Sequence, residues 1–170
     1  MPAAICMENK KRIVVFGIFD GVHDGHRDLF RQALRLAQGK QKEKVELVVI
    51  VGRDEIAEKL KGKKPKHAED ERVRLVQREP LVDSAILGDR ELSTYRVLEQ
   101  CNPDVVCFGY DQDELEVDLQ YWLALRLAQA VRGSEKPSGS RRGKQDKNIQ
   151  IYRAKPYREG TFHSSLIQRS

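Results

Sequence analysis

Ten consecutive residues, 17–26, read GIFDGVHDGH and carry the densest chemistry in this chain of 170 residues. Two of its four histidines, His23 and His26, stand three apart within them. At the entry to a helix that spacing projects both rings to one side. Imidazoles so placed donate hydrogen bonds to phosphate oxygens or carry a proton. Gly17 and Gly25 permit close approach of backbone to a ligand. A chance pair of surface histidines is the plain alternative, and the glycines at a strand-to-helix turn argue against it. No carboxylate or cysteine cluster completes a metal site around the pair, so no protein-held metal is expected.

The elements that would position these residues follow from apolar periodicity. RIVVFG (12–17) is a short apolar run ending in glycine, as a buried parallel strand would be. From Gly25 the pattern turns helical and Gly39 is a natural stop. Further strands are expected at 44–52, 84–88, 104–109 and 148–155. Further helices are expected from Asp54, over about 68–78 before Pro80, over 93–101 with Ser93 as N-cap, and over 115–132. The last would turn Leu115, Leu119, Trp122, Leu123 and Leu127 to one apolar face. Tyr121 and Trp122 suit packing better than a stacking role. Strand–helix alternation at this spacing predicts an α/β protein: a Rossmann-like, doubly wound parallel sheet of about five strands with helices on both faces. The strand-to-helix turn bearing the histidines then lies where open α/β sheets bind ligands, and the helix N-terminus suits a phosphate.

Composition narrows the rest. The chain reads as one domain, 1–170, carrying a flexible basic loop at about 133–147. No apolar run approaches the roughly 18 residues that span a bilayer, and no signal peptide is evident, so no membrane partner is expected. Three cysteines, Cys6, Cys101 and Cys107, form no CxxC pair. That usage suits a reducing, cytoplasmic setting with Cys101 and Cys107 as buried small hydrophobes. The formal charge is +5. Residues 133–158 hold eight basic residues against Glu135 and Asp146, so the excess is local. The basic loop lacks the aromatics that stack bases, which argues against nucleic acid and for attraction of a small anionic ligand.

GIFDGVHDGH resembles the G-T-F-D-x-x-H-x-G-H signature of the small nucleotidyltransferase, or cytidylyltransferase-like, superfamily. That group includes glycerol-3-phosphate cytidylyltransferases, pantetheine-phosphate adenylyltransferases and FAD synthases. Every signature position matches except Ile18, where most members have Thr or Asn. VGRDEIAEKLKGKKP with the Pro80–Asp83 step, PDVVCFGYDQ (103–112) and TFHSSLI (161–167) look like segments of archaeal-type FAD synthases.

The resemblance implies roles. Gly17, Ile18, Phe19, His23, Asp24, Gly25 and His26 would bind the nucleotide, Phe19 through its backbone and the histidines at the triphosphate. Asp111 would hold its base or ribose, although alone it reads as an ordinary loop carboxylate. Arg158, with Ser164 and Ser165, would grip phosphate near a second helix N-terminus, where the serines also read as helix caps. Lys61 and Lys63 match the family's mobile lysine loop and Arg72 its following arginine. His23, His26, Lys63 and Arg158 would be the catalytic set. ATP with Mg2+ and FMN would be the substrates, giving FAD and pyrophosphate by direct in-line attack. No permanently bound cofactor is expected. A homodimer is open, since dimers are common in the family. Alternatives are cytidylyl or adenylyl transfer to another phosphorylated small molecule, of the glycerol 3-phosphate or phosphopantetheine type, and a non-catalytic nucleotide- or RNA-binding module.

Overall fold

The computed structural model describes residues 10–38, 43–132 and 148–157. In chain order the elements are β1 (Lys11–Gly17), α1 (Asp24–Gln38), β2 (Val45–Val51), α2 (Asp54–Lys61), α3 (Glu69–Gln77), β3 (Ser84–Leu87), α4 (Arg96–Cys101), β4 (Val105–Phe108), α5 (Asp113–Arg132) and β5 (Gln150–Arg153). All strand pairs are parallel and the order is β3-β2-β1-β4-β5. This is the expected Rossmann-like sheet with helices on both sides.

The apolar strand runs exist because both faces are covered. Ile13, Val15, Leu47, Val49, Val51, Val105 and Cys107 pack towards Phe30, Ala33 and Ala37 of α1 and Val76 of α3. Their neighbours Val14, Val48, Ile50, Val106 and Phe108 pack on the other side with Val97, Leu98 and Cys101 of α4 and Leu119 of α5. Alternation along each strand therefore divides one continuous apolar run between two cores.

Two local expectations need correction. Ser93 does not cap α4. It has a φ of 62°, and the helix begins at Arg96 behind Tyr95, whose φ is 48°. Asp89 satisfies the helix start instead, its two carboxylate oxygens accepting from the Val97 N–H at 3.2 and 3.3 Å. On α5 the inward face ends early. Leu119 is buried and Leu115, Trp122 and Leu123 are half-buried, but Leu127 is 56% exposed. Trp122 packs on Tyr95 with ring centroids 5.5 Å apart and lies beneath the Arg126 guanidinium. The basic loop 133–147 and the tail residues Arg158, Ser164 and Ser165 lie outside the described residues.

Candidate active site

A cleft of about 870 Å3 runs along the carboxyl ends of the strands. Its floor is built from the residues at which the strands stop: Gly17, Gly52, Gly88, Gly109 and Ala154. Ligand sites of open α/β sheets form at this edge. Gly17, Ile18, Phe19, His23, Gly25, His26, Lys63 and Asp111 all line it. Asp24 does not. Its side chain is exposed and accepts from Arg27 Nη1 at 3.1 Å.

The loop after β1 has an unusual backbone. Phe19, 2% exposed, adopts a φ of 54°, a conformation that bulky side chains rarely take. The turn throws its ring back over Gly17, where an added Cβ would come within 2.6 Å of it. The same ring meets His26 edge-on, with centroids 4.9 Å apart. The space left by Gly17 thus admits a ring of the protein itself. Gly25 serves similarly, since a Cβ there would lie 2.9 Å from the His23 ring.

His23 closes the start of α1. Its carbonyl accepts from the Arg27 N–H at 3.1 Å, and its Nδ1 accepts from the Gly25 N–H at 3.1 Å. This is the geometry of an N-cap, with an imidazole in the place usually taken by a hydroxyl or carboxylate. His26 Nδ1 faces the His23 N–H at 3.4 Å. His23 Nδ1 is an acceptor in its contact, which leaves that ring's proton on Nε2, while the His26 ring also bonds the Gly21 carbonyl. The two rings stack, 3.8 Å apart and 22° from parallel. Burial pushes the His26 imidazole down to about 3, with His23 and Lys61 adding repulsion and the Gly21 carbonyl opposing it. Burial also lowers His23, against the pull of Asp24. At neutral pH both rings are thereby held towards the uncharged form.

Behind this loop stands Arg72, fully buried. Its Nη1 donates to the carbonyls of Ile18 and Gly52 at 2.6 and 2.7 Å. Its Nε donates to the His67 carbonyl at 3.1 Å and its Nη2 to Asp54 Oδ1 at 2.6 Å. The guanidinium therefore ties together the chain after β1, the chain after β2 and the start of α3. Ile18, the position that departs from the signature, packs its side chain where a Cβ on Gly52 would sit, 2.7 Å from Cδ1.

Asp20 joins the signature loop to the lysine loop. Its carboxylate accepts from the Lys66 and His67 N–H groups at 2.7 and 3.0 Å, and lies 3.0 Å from His67 Nδ1. Burial raises its carboxyl, but these donors outweigh that and hold it below the usual range. Lys61, Lys63, Lys64 and Lys66 line the cleft around this latch. On the far side, Gln112 donates to the Phe16 carbonyl at 3.1 Å and accepts from the Gly109 N–H at 2.7 Å, fixing the turn that carries Asp111.

A family model described as cytidylyltransferase-like matches residues 14–169. The chain belongs to the cytidylyltransferase-like family. It is a nucleotidyltransferase. Among curated relatives, the FAD synthase of Methanopyrus kandleri is 42% identical over 113 residues, covering 66% of this chain and 71% of that protein. The FAD synthase of Aciduliprofundum boonei is 38% identical over 109 residues, 63% of this chain and 67% of its own. Among solved structures, the lipopolysaccharide core biosynthesis protein of Thermoplasma volcanium superposes with a TM-score of 0.63 at 27% identity, covering 86% of this chain and 98% of its own. In this cytidylyltransferase-like enzyme the signature histidines, the lysine loop and the Asp111 turn thus surround one cleft.

The sequence placed Arg72 behind the lysine loop without revealing what it ties together, and it did not mark Asp20 or Gln112 as builders of the site, although both lie inside the motifs GIFDGVHDGH and GYDQ.

Among the described residues no group of three or more His, Cys, Asp or Glu side chains could hold a metal. No helix among the described residues is long and apolar enough to cross a membrane.

Proposed function

We propose that this nucleotidyltransferase is an FAD synthase acting as a single domain in the cytoplasm. It joins the phosphate of FMN to the adenylyl group of ATP. The carrying observation is the stacked His23–His26 pair at the N-terminus of α1, lining one cleft together with Lys61, Lys63, Lys64 and Lys66. The likeness to curated FAD synthases supports the choice of substrates.

The reaction follows from what the cleft offers. A phosphate oxygen of FMN attacks the α-phosphorus of ATP, a P–O bond forms, and the bond to pyrophosphate breaks. The attacking phosphate is already anionic near neutral pH, so no strong general base is needed. The protein's part is to hold the two substrates in line and to stabilise charge on the transferring group. The imidazoles of His23 and His26, the N-terminal N–H groups of α1 and Lys63 supply that charge stabilisation, with Arg158 completing the set. Asp111 is assigned to the nucleoside. Magnesium bound to the triphosphate would supply further charge neutralisation.

The test is a panel. ATP and CTP are each paired with FMN, glycerol 3-phosphate and phosphopantetheine, and pyrophosphate is measured. ATP with FMN is expected to turn over and to yield FAD. No FAD from that pair, with turnover of another, would replace this function by transfer to a different phosphorylated acceptor. No pyrophosphate from any pair would favour a binding module.

A further inference from the structure

Phosphates bound at the His23–His26 end would fill only part of the cleft. Past the ends of β1 and β4 it continues to the α4–α5 side of the sheet, where Phe16, Leu92, Tyr95, Leu115 and Asp118 line it. Tyr95 is buried and its hydroxyl donates to Asp118 Oδ2 at 2.7 Å. The other oxygen, Oδ1, has no hydrogen-bond partner among the described residues.

The backbone here is bent to produce that pairing. Ser93 and Tyr95 both take left-handed φ values, 62° and 48°, within three residues. Such conformations cost free energy in non-glycine residues and persist where the surroundings hold them. Here the surroundings are aromatic. The Tyr95 ring stands edge-on to Phe16 at 6.2 Å and packs on Trp122 at 5.5 Å. A rigid ring thereby fixes one carboxylate oxygen and leaves the other for a ligand.

A carboxylate repels phosphate, so this end of the cleft is built for something else. Apolar walls suit a flat ring, and the carboxylate needs an N–H or O–H donor on its rim. We infer that Asp118, positioned by Tyr95, selects the acceptor by accepting the imide N–H of the FMN isoalloxazine ring at Oδ1. This rests on the FAD synthase function proposed above. Asp118 and Tyr95 act on acceptor recognition rather than on the reacting phosphates.

The experiment compares FMN with its N3-methyl analogue, which lacks that N–H, in the wild type, Asp118→Ala, Asp118→Asn and Tyr95→Phe. FAD or its analogue and pyrophosphate are measured, with separate KM values for flavin and ATP. The wild type is expected to prefer FMN by about 100-fold or more in kcat/KM, because a site built to pair an N–H rejects the ligand without it. Asp118→Ala is expected to raise the KM for FMN about 10- to 100-fold, as loss of a hydrogen bond to a charged group does. Its KM for ATP should move by less than about threefold, and its preference for FMN should nearly vanish. Asp118→Asn keeps an acceptor oxygen and should recover part of the preference, while Tyr95→Phe should weaken FMN binding and retain the preference. If FAD is formed but wild type and Asp118→Ala discriminate equally, the inference is overturned and the function stands. Should Asp118→Ala fail to fold, undiminished discrimination in Asp118→Asn overturns it equally. No FAD from the wild type overturns the function, and the inference with it.

Discussion

Arg72 reaches Ile18 from inside the protein: a fully buried guanidinium donates to the Ile18 carbonyl at 2.6 Å and, from the same nitrogen, to Gly52 at 2.7 Å. The arginine that follows the lysine loop in the sequence is therefore a strut beneath the cleft-lining backbone at Ile18 and Gly52. A lysine has one ammonium and cannot serve four acceptors in a planar fork. Arg72→Lys is expected to cost on the order of 3 kcal/mol, the scale of breaking a buried charge network. For a chain of this size that lowers Tm by about 6–12 °C. Thermal unfolding followed by circular dichroism checks it, and an unchanged Tm would remove the strut role.

Removing His26 should slow turnover more than it weakens substrate binding. Phe19 and His23 pin its ring on either side. His26→Ala is expected to lower kcat by about 10²–10³, the loss seen when one transition-state donor is deleted. The KM for ATP should change far less. Steady-state pyrophosphate release measures both, and equal turnover in the mutant would end the assignment.

The same histidine makes the fold acid-sensitive. Its folded-state value, about 3, lies below the ordinary 6.5, so the unfolded chain binds the extra proton first. Its contribution is fully present above about pH 6.5 and is lost as the pH falls towards 3. His23, also lowered, adds in the same direction. Over that window His26 steepens the fall in stability, by at most about 1.4 kcal/mol per pH unit. Urea midpoints measured from pH 7 to pH 4 should fall less in His26→Gln than in the wild type.

Asp20 is expected to matter through the loop it holds. Asp20→Ala removes the acceptor of two backbone N–H groups, at Lys66 and His67. Hydrogen exchange at those amides should accelerate by about tenfold or more, as loss of bonds to a charged acceptor implies. The kcat/KM for ATP should fall with it, because the lysines lose their fixed placement. Unaltered exchange at both amides would show that another contact holds the loop.

The fold was legible because its signals are local. Each strand is an apolar run, and VVCF of β4 is buried at every position, as a central parallel strand demands. The histidine pair was legible too, since residues three apart at a helix start meet whatever lies elsewhere. What stayed hidden depends on partners distant in sequence. Asp20 is latched to residues 46 and 47 positions away, and Arg72 to a carbonyl 54 positions away. Those partners are backbone atoms, which carry no side-chain signature. The start of α4 was misplaced for a related reason. Ser93 looks like a cap, but Asp89 reaches forward to Val97 and does that work.

Four strands of this sheet stop at or just before glycine, and the fifth is followed by Ala154. The room left at two of these strand ends is taken by the signature loop itself, the Phe19 ring over Gly17 and the Ile18 side chain against Gly52. A larger residue at either glycine would displace that loop before it reached any ligand. Loop and strand ends must therefore change together, while the walls of the cleft can change alone.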